Sequence, residues 1–260
     1  MRRAAPGTTL ELAAGEYRLA QPLVLNKALT VQGAGLEQTR LVCEAEGAVL
    51  RCEGVGLVHV YDLTVEHRGE AWADVVVVAG GQVDIRRCRV TGGVWDEAHK
   101  RGGSGLSLYG QMRGTIAACQ AQRNGLHGIQ VTGEAQPHLE GNRCEANTWT
   151  GLGYFGQAGG QARGNVCHGN GSYGIAVQGK AQPHLEGNRC EANTQVGLGY
   201  WGQAGGQARG NVCHGNGSYG IAVQEEAQPH LEGNHCADNK RQNLYVAATA
   251  KPRLHGNQVD

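Results

Sequence analysis

One short stretch of the chain concentrates acidic and basic side chains. Residues Val94–Arg101 read VWDEAHKR, and Asp74 precedes them on the other side of a short apolar segment. Carboxylates that lie near a cation can exchange protons with a bound molecule, which is the chemistry of general acid–base catalysis. The candidate catalytic residues are Asp74, Asp96, Glu97, His99, Lys100 and Arg101. The alternative is a solvated charged loop without a catalytic role.

Aromatic side chains form a second group with a chemical use. The chain has four tryptophans and one phenylalanine, and all five fall on one predicted strand of a repeat unit or on its flanking turns. Aromatic rings provide rigid apolar contact area for flat or extended ligands. The candidate ligand-binding residues are Trp95, Trp149, Phe155, Tyr173, Trp201 and Tyr219, while Trp72 lies in a neighbouring turn. The alternative is that these rings cover hydrophobic corners.

An internal repeat must position both groups. Ala135–Thr148 and Ala181–Thr194 share the letters AQPHLEGNRCEANT, and Gly160–Gln178 recurs as Gly206–Gln224. This 46-residue period contains two units of 23 residues, marked by cysteines at 144, 167, 190, 213 and 236. Each unit has three short runs with period-two apolar placement, separated by Gly and Asn. The repeat predicts an all-β solenoid: a single-stranded parallel β-helix of about nine to ten coils, with three short strands per coil.

We predict a single β-helix domain over residues 1–260, in four sections. Residues 1–56 form irregular entry coils, 57–132 form coils with loop insertions, 133–247 form regular 23-residue coils, and 248–260 form an incomplete last coil. The insertions are His67–Asp74 and Val94–Arg101, and both enter just before the first strand of a coil. Insertions in a solenoid collect on one face, which is often the binding face.

The first strand of each coil is predicted to form the floor of a groove. Its outward column is Ser107, Gln130, Gly153, Ala176, Gly199, Ala222 and Tyr245. Because this floor is small and uncharged over its middle, we expect a flat ligand to approach the backbone there. The aromatic candidates would then form the walls, and the Val94–Arg101 loop would close one end.

Other columns have structural explanations. Asparagines that flank each cysteine are predicted to occupy left-handed corners and to bond to the coils above and below. The five regularly spaced cysteines are predicted to form a buried, reduced ladder. Glu145, His168 and Glu191 share an outward column in which the charges alternate, and pairing between adjacent strands accounts for them without a metal ion.

Bulk properties restrict the classes of partner. The chain carries 23 basic and 23 acidic residues, so no basic surface is expected for nucleic acid. No run of apolar residues is long enough for a membrane span, and the first residues, MRRAAPGTTLELAAG, lack the apolar segment of a signal peptide. Free cysteines favour a cytoplasmic location.

The pattern PxLEGNxCxxN…GIxV over Leu57–Asp260 resembles the carbohydrate-binding and sugar-hydrolase type of parallel β-helix repeat, and Thr8–Gly35 resembles the entry coil of pectate-lyase-like proteins. The pattern is also similar to the β-helix of F-box ubiquitin-ligase substrate receptors and of bacterial periplasmic copper-maturation proteins. The resemblance implies a right-handed helix. It leaves function open, because the superfamily includes lyases, hydrolases, epimerases and non-catalytic receptors. The F-box and the Asp-Pro-His signature of alginate epimerases are absent.

Three functions remain after these observations. The first is a non-catalytic recognition module that binds a glycan or an extended peptide in the groove, without a cofactor. The second is a polysaccharide lyase or glycoside hydrolase with its site at residues 94–101, which would use Ca²⁺ only if it is a lyase. The third is a structural solenoid that associates end to end, or with a neighbouring domain, through its open ends.

Overall fold

The computed structural model describes residues 4–54 and 56–260, and the described chain is built from strands and turns alone. Three parallel sheets run along the axis of a right-handed solenoid, and each turn of the chain contributes one strand to each sheet. In these residues no helix is long and apolar enough to cross a membrane. The predicted all-β parallel β-helix is confirmed.

Each of the three sheets takes its strands from successive turns of the chain. Sheet 1 contains Thr8–Glu11, Leu29–Gln32, Leu57–Tyr61, Gln82–Arg86, Arg113–Ala117, Gln136–Glu140, Gln161–Arg163, His184–Glu186, Gln207–Arg209, His230–Glu232 and Arg253–His255. Sheet 2 contains Gly15–Leu19, Thr39–Cys43, Thr64–His67, Arg89–Thr91, Gln120–Gln122, Arg143–Glu145, Val166–His168, Arg189–Glu191, Val212–His214, His235–Ala237 and Gln258–Val259. Sheet 3 contains Leu23–Leu25, Gly47–Cys52, Ala73–Ala79, Leu106–Tyr109, Ile129–Val131, Leu152–Tyr154, Ile175–Val177, Leu198–Tyr200, Tyr219–Val223 and Gln242–Val246.

The number of coils is larger than predicted. Sheets 1 and 2 have 11 strands each and sheet 3 has 10, against the expected nine to ten coils. The difference arises at the amino-terminal end, where the irregular residues before Gly54 already make two full turns. Thr8 pairs with Leu29 and Gly15 pairs with Thr39, so the entry segment stacks in the same parallel manner as the regular coils.

The register of the regular coils continues through the irregular coils. Val60, Ile85, Ile116 and Leu139 occupy one column of sheet 1. In sheet 2, Val65, Val90, Ala121 and Cys144 occupy one column, which ends with Cys236 beside Val259. Because strand side chains alternate between faces, a one-residue slip would have exposed each of these columns.

The core explains why the repeat is 46 residues long rather than 23. In one turn the buried Tyr154 is accompanied by the small Ala162, and in the next turn the smaller Val177 is accompanied by the larger Leu185. Tyr200 and Ala208 then repeat the first combination. Alternate turns thus fill the interior with different side chains at similar total volume, as close packing requires.

The cysteines are buried and free, as predicted. All nine are unpaired in the described chain, and five of them stack directly from Cys144 to Cys236 in sheet 2. Hydrogen bonds with Cys167 and Cys213, together with burial, raise the pKa of the Cys190 thiol above its usual range. The ladder therefore acts as a column of small apolar side chains.

Opposite charges alternate on the outer surface of sheet 1. The column is Glu140, Arg163, Glu186, Arg209, Glu232 and His255. Arg163 lies 3.1 Å from Glu186, and Arg209 lies 2.7 Å from Glu232. Exposed pairs of this kind stabilise adjacent strands by only a few tenths of a kcal/mol, up to about 1.

Two asparagine ladders join the turns at the corners between sheets. One runs from Asn142 to Asn257 between sheets 1 and 2, and the other runs from Asn124 to Asn239 between sheets 2 and 3. Asn188 is typical: its Nδ2 donates to Asn211 Oδ1 at 2.9 Å and to the Ala162 carbonyl at 2.9 Å. Its Oδ1 accepts from the backbone and side-chain nitrogens of Asn165, each at 2.9 Å.

The prediction that asparagine itself adopts the left-handed conformation is wrong. The residue before each ladder asparagine has positive φ, as at Gly141 (60°), Ala146 (50°), Gly187 (60°) and Ala192 (53°), whereas no asparagine does in the described chain. The left-handed residue of each corner is therefore the one before the asparagine. The asparagine is left in an ordinary conformation, with both ends of its amide directed along the ladder.

Asn188→Ala is expected to lower the free energy of unfolding by about 3 kcal/mol or more. The substitution leaves several buried partners without a hydrogen bond, and each unsatisfied group costs about 1–3 kcal/mol. Chemical denaturation monitored by circular dichroism measures the change. The exposed Gln195→Ala is the control and should be neutral. An unchanged midpoint for Asn188→Ala would contradict a stabilising ladder.

Ala192→Gly is expected to stabilise the protein by up to about 1 kcal/mol. Left-handed geometry is strained for an L-residue with a Cβ and unstrained for glycine. Gly169 (φ 60°) occupies the equivalent corner one turn earlier, so Gly169→Ala should destabilise by a similar amount. Thermal melting of both variants gives the comparison. A loss of stability in Ala192→Gly would show that unfolded-state entropy outweighs the strain.

Candidate functional site

The groove floor is the outward face of sheet 3. Gln130, Gly153, Ala176, Gly199, Ala222 and Tyr245 lie in one column of adjacent strands, and Ser107 precedes them. The predicted column is therefore present. The small residues of the floor were expected to leave the backbone open to a ligand. Instead, aromatic rings of the protein itself cover the floor at its glycines.

Two aromatic side chains fold back over glycines of the floor. A Cβ at Gly153 would lie 2.4 Å from Cε2 of Phe155, and a Cβ at Gly199 would lie 2.0 Å from Cη2 of Trp201. A side chain at either floor position would displace the ring that now covers it. The surface offered to a ligand at these rungs is thus an aromatic face, and the expectation of direct access to the backbone is wrong.

Each ring is supported by an aromatic side chain of a neighbouring turn. The ring centroid of His127 lies 5.2 Å from that of Phe155, and Tyr173 lies 4.6 Å from Trp201 in an edge-to-face arrangement. Farther along the sheet, Tyr219 stacks on Tyr245 at 4.9 Å. These pairs recur on alternate turns, about 9–10 Å apart by the strand spacing.

His127 is a site residue that the sequence analysis missed. It is almost fully buried in the groove wall, and burial lowers its pKa to about 4, so the ring is neutral at physiological pH. Its Nδ1 has no hydrogen-bond partner within the described chain. The signal was available, because positions 127, 173 and 219 are 46 residues apart and carry His, Tyr and Tyr.

The Val94–Arg101 insertion forms a small antiparallel hairpin at one end of the groove. Trp95–Asp96 pairs with Arg101–Gly102, and Val94 bridges to Ala73 of sheet 3. The guanidinium of Arg101 lies 4.3 Å from the ring centroid of Trp72, a cation–π contact that holds the hairpin against the body. The hairpin places Trp95 in the lining of the groove.

The groove has a volume of about 790 Å³. Five of the six ligand-binding candidates line it, namely Trp95, Trp149, Phe155, Tyr173 and Trp201, together with the catalytic candidates Asp74, Glu97, Lys100 and Arg101. Trp149 is 51% exposed, which is the highest value among the aromatic candidates. Tyr219 lies beyond the groove on the same sheet, and Asp96 and His99 do not line it.

The hairpin carboxylates are engaged within the hairpin. Asp96 accepts hydrogen bonds from His99 Nδ1 at 2.7 Å and from Arg101 Nε at 3.1 Å. Although desolvation acts in the opposite direction, these bonds lower the pKa of Asp96 to about 2. Glu97 pairs with Lys100 and accepts from Trp95 Nε1 at 2.6 Å, so hydrogen bonding lowers its pKa as well. Both carboxylates are ionised and already hydrogen-bonded, so they hold the turn of the hairpin.

Asp74 behaves differently from the hairpin carboxylates. Its Oδ1 accepts from the backbone nitrogen of Ser104 at 2.8 Å, and Ser104 Oγ in turn donates to Gln130 Oε1 at 3.0 Å. Burial raises the pKa of Asp74 to about 6 in spite of these bonds. Asp74 is thus the groove carboxyl whose charge changes near neutral pH. Among the described residues no cluster of three His, Cys, Asp or Glu side chains could hold a metal ion.

Asp74→Asn is expected to alter the pH dependence of stability. Between the ordinary pKa of 3.8 and the folded value of about 6 the folded protein binds more protons than the unfolded chain. The free energy of unfolding therefore falls by up to about 3 kcal/mol as pH rises through this window, because ionised Asp74 is less favourable in the folded protein than in the unfolded chain. Thermal melting from pH 4 to 7 should show Asp74→Asn gaining stability relative to the wild type.

Asp96→Asn is the control for this measurement, because the low pKa of Asp96 places its titration below the window. It should show no gain above pH 6. A difference between Asp74→Asn and the wild type that stays constant from pH 4 to 7 would contradict the raised pKa.

Solved structures of several proteins are similar to this fold. The mannuronan C-5 epimerase AlgE4 A-module of Azotobacter vinelandii has 22% identity and a TM-score of 0.75, covering 92% of this chain and 72% of that one. Pectate lyase Pel9A has 13% identity and a TM-score of 0.70, covering 98% and 72%. The catalytic unit of a GH87 α-1,3-glucanase from Streptomyces thermodiastaticus has 11% identity and a TM-score of 0.64, covering 96% and 62%.

Sequence comparison agrees with the fold. No curated protein matches the chain significantly. The family described as the right-handed beta helix region matches residues 73–200 and 158–260, which together span more than half of the sequence. The stacked parallel strands, the ladders and this match lead to one assignment: the chain belongs to the right-handed β-helix family.

Proposed function

We propose that the protein binds a glycan in the aromatic groove without converting it. The observation that carries this proposal is the group of aromatic side chains, Trp149, Phe155 and Trp201, that line one groove on the outward side of sheet 3. Flat apolar faces at regular intervals suit the apolar faces of successive sugar rings. The ring of His127 packs beside Phe155 and helps to hold it in the groove.

The charges that line the groove favour an uncharged ligand segment on the aromatic side chains. Lys100 is paired with Glu97, and Arg101 lies over Trp72 and donates to Asp96. The cations at the hairpin are therefore already engaged. The names of similar structures refer to mannuronan, pectate and α-1,3-glucan, which supports a glycan rather than a peptide as the occupant.

A carbohydrate-active enzyme is the second candidate, and Asp74 is the observation that favours it. A carboxyl with a pKa of about 6 can both donate and accept a proton near neutral pH, and this one lines the groove. Such chemistry needs a second acid–base group. The hairpin carboxylates do not supply it, since Asp96 and Glu97 are bonded within their own turn. Recognition without turnover therefore remains the first proposal.

Trp149→Ala and Trp201→Ala are each expected to weaken glycan binding about tenfold or more, because each removes an aromatic stacking face. A glycan array with neutral and acidic oligosaccharides identifies the ligand, and calorimetry measures both variants. Gln195 occupies the position of Trp149 one 46-residue repeat later. Gln195→Ala is therefore the matched control and should bind as the wild type does.

The same incubations, with and without Ca²⁺, are analysed for released or altered sugar. Intact ligand and weakened binding by both tryptophan variants support recognition. Products that disappear in Asp74→Asn would replace this proposal with the enzyme. Unchanged affinity in Trp149→Ala and Trp201→Ala would remove the groove from consideration.

A further inference from the structure

A second cavity lies on a different face, where the turn from sheet 3 enters sheet 1. This notch has a volume of about 620 Å³ and is lined mainly by polar side chains. Its floor is the Gly159–Gly160 rung, which lies between the larger rungs Gln136–His138 and Gln182–His184. A Cβ at Gly160 would lie 2.3 Å from the Pro137 carbonyl oxygen, so close stacking of the turns requires glycine there.

Two cations stand at the ends of the notch. Arg113 belongs to the turn before Gln136, and Lys180 belongs to the turn after Gly159, so their backbones are about three strand spacings, roughly 14 Å, apart. None of the lining residues is acidic. In residues 4–54 and 56–260 neither cation forms an ion pair, and Arg113 donates only to the neutral Gln136 Oε1 at 3.0 Å.

The acidic side chains around these cations are hydrogen-bonded to glutamines. Glu134, which is two residues from Gln136 on the turn next to Arg113, accepts from Gln111 at 3.1 Å, and Glu226 accepts from Gln203 at 3.3 Å. Glu134 and Glu226 each lie two turns from Lys180 in the same column. That separation is about 10 Å by the strand spacing, which is comparable to the Debye length at physiological salt. His138 and His184, both exposed, line the same wall and add no negative charge.

The sequence repeat supplies an internal comparison. The next copy has the same floor, Gly205–Gly206, and a Cβ at Gly206 would lie 2.2 Å from the Pro183 carbonyl oxygen. At the positions of Arg113 and Lys180, however, it carries Gly159 and Glu226. The second copy therefore keeps the glycine floor without the two cations, so the floor itself does not require them.

We propose that this notch, defined by Arg113, Lys180 and the Gly159–Gly160 floor, binds a short acidic oligosaccharide. Arg113 can grip a carboxylate with two parallel hydrogen bonds, and Lys180 can meet a second carboxylate as a point charge. Between them, the amides of Gln136, Gln157, Gln161 and Gln182 offer donors and acceptors to sugar hydroxyls. The site is separate from the aromatic groove, and its ligand differs in charge.

The test exchanges the cations for the residues of the second copy. Binding of tri-galacturonate, maltotriose and inorganic phosphate is measured by calorimetry at low and physiological salt for the wild type and for Arg113→Gly/Lys180→Glu. The wild type should bind tri-galacturonate more tightly than the other two probes, and more weakly as salt rises. The double variant should lose this binding at least tenfold while it keeps its melting temperature.

Two further variants separate this site from the groove. Trp201→Ala should leave tri-galacturonate binding unchanged, which distinguishes failure at the notch from failure at the groove. Glu226→Lys, made in the background of the double variant, should recover part of the lost affinity at the second copy. Equal binding of phosphate and tri-galacturonate, or tri-galacturonate binding that survives Arg113→Gly/Lys180→Glu, would overturn the proposal.

Discussion

Hydrogen bonding between turns is the constraint on which the rest of the structure depends. Each ladder asparagine except the last of each ladder bonds to the turn before and the turn after it, and the amide that does so is buried. A turn that gained or lost a residue at a ladder corner would strand these groups without water or partners, at about 1–3 kcal/mol each. Extra residues are therefore tolerated only outside the ladder corners. The hairpin accordingly leaves the body after Gly93, whose backbone nitrogen still donates to Asn124.

Packing in the core then sets a longer period on the surface. Because large and small side chains must alternate between turns, Tyr154 and Tyr200 recur only every second turn. The same two-turn period places Phe155 and Trp201 over the floor and Gly159 and Gly205 between larger rungs. The glycine floors of both candidate sites thus repeat with the interior, whereas the side chains around them differ between the copies.

Charge distinguishes the two sites on this common scaffold. In the aromatic groove the hairpin cations are neutralised by Glu97 and Asp96 or engaged with Trp72, so contact area dominates. In the notch Arg113 and Lys180 form no ion pair with any residue that the structure describes, so electrostatics dominates. A net charge of zero hides this difference, because the 23 acidic and 23 basic residues balance over the whole chain, in part through pairs such as Arg163–Glu186 and Arg209–Glu232.

The sequence by itself determined the solenoid, its register and the side of the molecule on which aromatic residues collect, since stacking makes residues 23 apart neighbours. It also placed the cysteines inside and the Val94–Arg101 insertion at the end of the groove. Only the tertiary structure decided how side chains use that placement. Phe155 and Trp201 fold onto glycines two residues away, His127 joins them from the preceding turn, and Asp96 turns toward its own loop while Asp74 is desolvated in the groove. Periodicity specifies which residues are neighbours, but rotamers, burial and local hydrogen bonds determine what those neighbours do, and these depend on the packed geometry.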